Sequence, residues 1–244
     1  EAPAGLQVQY ATVPDGFWQM RPIAIMPFPD TDLKVHRCEL TELSPGTEYQ
    51  FQLGMNSPIH RFRTMPAHAT NTIQFVSGGD AGTGAHAINT NLLAAKQEPY
   101  FVLIGGDLAY DNGRSPQTFR QFLRNYSKHL IDAKGRMVPL ISCIGNHEVN
   151  GGYKKTRAEA AAYLSVFNGL FSDSTYGVLD IGDYLSLVLL DSGHIAPIAG
   201  EQTEPGSGQR VTVVRGGEER EMTATVRNAA ATKTATDGGA GGGE

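Results

Sequence analysis

Tyr100-Phe-Val-Leu-Ile104-Gly-Gly-Asp107-Leu-Ala-Tyr110 is a short apolar run that stops on two glycines and an aspartate. Five apolar residues bounded by turn formers read as a strand buried on both faces. Two other segments share this design. Ile73–Val76 leads into Gly78-Gly-Asp80-Ala-Gly82, and Val138–Ile144 leads into Gly145-Asn146-His147-Glu148. Helical patterns lie between the runs. The first carries Ile88, Leu92 and Ala95 on one face. The second opens on Ser115 as N-cap and Pro116 in the first turn, with Phe119, Phe122, Leu123, Tyr126 and Leu130 in one stripe. Thr156-x-x-Glu159 is a capping box ahead of a third helix with Tyr163, Leu164 and Phe167 inward. Thr175–Leu179 and Tyr184–Leu190 read as two further strands. Buried strands alternating with amphipathic helices predict an α/β layered fold.

Open α/β sheets bind ligands beyond the carboxyl ends of their strands. The three motifs therefore converge on one rim, to which they deliver Asp80, Asp107, Tyr110, Asn146 and His147. This oxygen-rich set with one nitrogen suits hard or borderline cations such as Fe, Mn, Zn or Mg. A single Gly-Asp or Asn-His pair is ordinarily a turn; three such strand ends in order are a site. His86 and Asp111 lie beside the motifs, His86 reading as a helix start and Asp111 as a loop cap. His194 ends a strand at the same rim and reads as a turn residue, while Glu148 reads as a residue that orients a ligand.

The flanks differ in rhythm. Residues 1–66 read as β, with alternation at Leu6, Val8, Tyr10, then His36, Cys38, Leu40, then Tyr49, Phe51, Leu53, and a last strand over Arg61–Pro66. From Pro205 to Glu244 there is no aromatic residue, no Leu and no Ile, and the segment ends in a glycine cluster. It reads as a low-complexity, disordered tail with a marginal strand over Arg210–Arg215. The expected division is 1–66, 67–204 and 205–244.

Composition excludes several classes. Hydrophobic residues at 40% permit a sizeable core, which rules out global disorder. A net charge of −5 offers no basic carpet for a phosphate backbone. The longest apolar runs are too short to span a bilayer. Two cysteines in separate segments exclude a disulfide framework. The chain begins at Glu1 without Met, so it reads as a mature or trimmed form with no signal peptide.

Asp-x-Gly, then Gly-Asp-x-x-Tyr, then Gly-Asn-His-Glu resembles the first half of the calcineurin-like metallophosphoesterase signature. The tyrosine narrows the resemblance to purple acid phosphatases and their bacterial relatives. Leu43-Ser-Pro-Gly-Thr-Glu-Tyr49 similarly resembles the corner of a fibronectin type III sandwich, a domain those proteins carry ahead of the catalytic one. The first 66 residues hold four or five of the seven strands of such a sandwich, so its first strands are expected to be missing. The resemblance covers roughly Leu6–Glu204.

The resemblance implies a binuclear centre of Fe(3+) with Fe(2+), Zn(2+) or Mn(2+). Asp80, Asp107 and Tyr110 match ligands of the first metal, Asp107 also bridges, and Asn146 binds the second. His147 matches the residue that contacts the phosphate and leaving oxygen. The implied reaction is attack of a metal-bound hydroxide on the phosphorus of a small phosphate ester, in a secreted or periplasmic setting. The family pattern has three more His ligands, in a fourth motif and a Gly-His-x-His pair, whereas His194 is the one His after His147. A truncated fold and an inactive chain are therefore expected. The alternatives are a phosphodiesterase or nucleotidase on the same fold, or a catalytically dead fragment serving as an interaction protein.

Overall fold

The computed structural model describes residues 6–70, 72–112, 114–150, 157–167, 176–190, 208–215 and 218–225. Six strands precede residue 66: β1 (Gln7–Thr12), β2 (Gln19–Pro22), β3 (Ala24–Pro27), β4 (Lys34–Arg37), β5 (Glu48–Leu53) and β6 (His60–Arg63). They form an antiparallel sheet in the order β2-β1-β5-β6 and a separate β3–β4 pair. The sequence reading expects four or five strands and passes over β2 and β3. Each carries a proline and lacks strict alternation, and each lies at a sheet edge, where a missing N–H is tolerated. The strand expected over His36–Leu40 lies earlier, so Cys38 and Leu40 fall beyond its end. The corner behaves as its sequence suggests: the Ser44 N–H donates to the Tyr49 hydroxyl at 2.9 Å, and Tyr49 is buried.

The three apolar runs become β7 (Val76–Gly78), β8 (Val102–Ile104) and β9 (Leu140–Ser142), a parallel sheet in sequence order. Helix α1 (Ala85–Ala95) crosses from β7 to β8 and α2 (Pro116–His129) from β8 to β9. Ser115 caps α2 by accepting from the Thr118 N–H. Two like-handed crossovers to adjacent strands put both helices on one face. Val102 and Ile104 point to that face and pack with Phe119, Phe122 and Tyr126 of α2 and Tyr163 of α3 (Ala161–Phe167). Phe101 and Leu103 point the other way, onto the antiparallel pair β10 (Gly177–Ile181) and β11 (Leu185–Leu189), meeting Ile181, Leu187 and Leu189. The period of two along one short run thus builds a three-layered unit.

Two expectations change. In α1 the buried residues are Ala94 and Ala95, while Leu92 is exposed and Leu93 is 60% exposed. The helix has two apolar stripes, and packing takes the one with smaller side chains. In the segment read as a disordered tail, the strand expected over Arg210–Arg215 is present within β12 (Gly208–Arg215), and it pairs antiparallel with an unexpected β13 (Glu218–Thr225). Thr156, Thr175 and Gly200–Glu204 lie outside the described residues. No helix among the described residues is long and apolar enough to cross a membrane.

Contacts cross the boundary expected at residue 66. Phe28, 5% exposed, sits in the helical-face core and stacks on Phe119 at 6.4 Å. Arg37 donates to the Val166 carbonyl at 2.8 Å. Arg63 donates to the Glu98 carbonyl at 2.7 Å and lies over the Tyr100 ring. The Met137 N–H donates to the Arg61 carbonyl at 2.7 Å. Beside it the buried Arg136 donates through Nε to Asp132 at 2.7 Å, with Glu48 and Glu98 3.7 and 3.9 Å away. One guanidinium thus joins carboxylates from three places in the chain.

Burial acts to raise the Asp132 carboxyl, but the bonds from Arg136 and from the Lys134 N–H outweigh it and hold the group below the usual range. A depressed folded value means the stabilisation is complete above the unfolded value of about pH 4 and is lost as pH falls through the folded one. Asp132→Asn is therefore expected to cost about 2–4 kcal/mol at pH 7. In chemical denaturation the gap from wild type should shrink on acidification below about pH 4. An equal gap at pH 7 and pH 3 would contradict this account.

Candidate active site

Because β7, β8 and β9 are parallel, their carboxyl ends lie on one edge. The ladder continues past them: the Gly105 N–H donates to the Gly78 carbonyl at 2.8 Å and the Cys143 N–H to the Ile104 carbonyl at 2.9 Å. Each strand then turns sharply. Asp80 and Asp107 both adopt left-handed backbone, with φ of 51° and 56°. Non-glycine residues seldom sit there, and such strain is concentrated at functional sites. Neighbouring bonds hold both turns: the Asp80 N–H donates to the Gly106 carbonyl and the Ala81 N–H to the Asp107 carbonyl, at 3.3 and 2.9 Å.

The turns bring the predicted side chains together. The Tyr110 hydroxyl donates to Asp80 Oδ1. Asp107 Oδ1 accepts the backbone N–H of His147 at 3.0 Å, and the His147 and Tyr110 rings lie 4.3 Å apart. Asn146 and His147 occupy a single 3₁₀ turn over Asn146–Glu148. His147 Nδ1 is buried with no hydrogen-bond partner in the fold. An orphaned buried nitrogen is a position that a ligand can satisfy.

Tyr110 is 44% exposed. Even so, desolvation raises its phenol above the ordinary value, helped by the bond to Asp80 and by the charges of Asp80, Asp107 and Glu148. The phenol therefore keeps its proton and donates it in the hydrogen bond to Asp80. Two carboxylates and a phenol are hard oxygen donors and fit a hard cation at this point. Among the described residues no group of three or more His, Cys, Asp or Glu side chains is arranged to hold a metal ion.

Glu148, 2% exposed, organises the rim. Its Oε2 accepts the Asp107 and Gly145 N–H groups at 2.9 and 2.8 Å, and its Oε1 accepts the Leu108 N–H at 2.7 Å. Burial raises its carboxyl, opposed by the three N–H bonds. Gly145 must be glycine: a Cβ there would lie 2.2 Å from Asp107 Oδ1.

The remaining candidates fall elsewhere. Asp111 accepts the Ser115 N–H ahead of α2 and acts as the expected loop cap. His86 lies in the first turn of α1 beside the Asp80 loop, and His194 lies outside the described residues. Sequence reasoning missed Asn125. This buried residue of α2 donates to the Thr83 carbonyl at 2.8 Å and anchors the loop after Asp80. Its signal was a polar residue inside the apolar stripe of α2.

Glu148→Ala leaves three buried N–H groups without an acceptor and is expected to cost about 3 kcal/mol or more. Glu148→Gln keeps one acceptor oxygen but sets a donor against a donor, so a loss of about half that is expected. Urea midpoints at pH 7 measure both. Equal losses for the two variants would show that the N–H bonds are not what Glu148 supplies.

The calcineurin-like phosphoesterase family matches residues 59–228. The match begins ahead of the boundary expected at residue 67 and runs past Pro205, into the segment read as a tail. No curated protein matches the chain.

Proposed function

Because the chain belongs to the calcineurin-like phosphoesterase family of metal-dependent phosphoester hydrolases, we propose that its rim is a phosphomonoesterase centre of the purple acid phosphatase type. The observation that carries this reading is the Tyr110 phenol bonded to the Asp80 carboxylate. A phenol gives up its proton at neutral pH only to a strong Lewis acid, which favours a trivalent ion such as Fe(3+). Asp80, Asp107 and Tyr110 would hold that ion, with Asp107 shared and the Asn146 amide oxygen on a second, divalent one (Fe, Zn or Mn). The metal pair, when bound, offsets negative charge on the phosphoryl and leaving oxygens.

The chain's own groups do the rest. Asp107 and the Tyr110 ring fix His147, the group offered to the phosphate and to the leaving oxygen as a proton donor. The glycines of the three turns leave room for an anion beside the backbone. After His147 the sequence supplies one further histidine, His194. The reading is therefore that this chain takes up the first metal and turns over simple aryl phosphates poorly.

Adding ferric iron to the 244-residue chain should produce a visible phenolate-to-iron band that Tyr110→Phe removes. Uptake displaces the phenolic proton, so the band should weaken on acidification. A band that survives Tyr110→Phe, or none in the folded wild type, would overturn the assignment. Phosphate release from an aryl phosphate with Fe, Zn, Mn or Mg should stay close to that of Asn146→Ala. Robust metal-dependent turnover abolished by Asn146→Ala would show that the centre is complete within this chain.

A further inference from the structure

The loop that carries Asp80 also walls a cavity of about 230 Å³ between β7 and α1. Val102, Ile104, Phe122 and Leu130, all buried, form its floor, and His86 and Thr90 stand at its exposed mouth. The arrangement of α1 creates the space. The helix turns Ala87, Thr90, Asn91 and Ala94 toward the cavity, at the i, i+3, i+4, i+7 spacing of one face, and leaves Leu92 and Leu93 outside. Short side chains on the inner face leave part of the space above the sheet unfilled. Gly78, Gly79 and Asp80, at the end of the edge strand β7, line the cavity, so it borders the rim.

Close-packed interiors keep few voids larger than a water molecule. An apolar cavity of about 150 Å³ takes a benzene ring, so this one has room for a substituted ring or two fused rings. Its wall and the rim share Asp80, and Gly82 at the cavity lies against Tyr110. We propose that this cavity holds the aromatic group of an aryl phosphoester whose phosphoryl group lies at the Asp80–Tyr110 rim. His86, which the rim chemistry leaves unused, and Thr90 supply the polar groups at the mouth. This assignment rests on reading the rim as a phosphoesterase centre.

The probes are 1-naphthol, 1-naphthyl phosphate and inorganic phosphate, titrated into the iron-loaded 244-residue chain. Naphthol is expected to bind, and naphthyl phosphate more tightly. Ala87→Phe, which fills the cavity, should weaken both by about tenfold or more and leave phosphate binding unchanged. Nuclear Overhauser contacts from naphthol protons to the Ile104 and Leu130 methyls, measured without iron in the wild-type chain, locate the ring even if Ala87→Phe does not fold. Contacts elsewhere, binding undiminished in a folded Ala87→Phe, or no naphthol binding would overturn the cavity assignment. Naphthyl phosphate binding no tighter than naphthol would overturn its coupling to the rim. Naphthol in the cavity with no iron band at Tyr110 would leave the aryl site standing and remove the rim reading instead.

Discussion

Glu148 sets the distance between two of the three strand ends. Its carboxylate draws N–H groups from the loop after β8 and from the turn after β9 onto one buried point. The tie is returned, because Asp107 in the first loop accepts the His147 N–H of the second. Each loop therefore supplies the acceptor for the other's backbone. Two glycines make the approach feasible: Gly106 has φ of +99°, and a Cβ on it would lie 2.8 Å from the Gly145 Cα. Were either loop to move, buried donors would lose their partners, which is costly in a low-dielectric interior. Asp107 and His147 are consequently placed by the fold before any ligand arrives.

The rim also depends on strands of only three residues held from both sides. Val102 and Ile104 grip the helices while Phe101 and Leu103 grip the β10–β11 pair. Tyr126 and Tyr163 add hydroxyl bonds to the Val138 and Ser142 carbonyls, at 3.0 Å each, on the helical side. A sheet clamped between two layers resists the tilting that would spread its carboxyl ends.

Much of this was legible in the sequence, and the exceptions have physical causes. Continuous apolar runs ending in glycine reveal strands buried on both faces, so β7, β8 and β9 and their common edge could be read directly. Their limits could not: the ladder begins at Val76, not Ile73, because pairing with Val102 decides where a strand starts, and composition is blind to pairing. Leu92 looks like core by periodicity, yet α1 packs through its alanines, a tertiary choice that side-chain size alone does not announce. Residue types forecast Asp80, Asp107, Tyr110 and His147 as neighbours. They gave no hint of left-handed backbone at both aspartates, or that Asn125 on α2 would brace the first loop.

Phe28 bears on modularity. It comes from the β-rich first part of the chain but is stacked on Phe119 within the core of the α/β unit, and Arg136 meets Glu48 across the same seam. A break near residue 66 would divide the sequence where composition changes, yet it would uncap the aromatic cluster and strip a buried guanidinium of a partner. The two parts are therefore one packed unit: transplanting the phosphoesterase half into another protein means carrying the first strands along, or replacing the plug they provide.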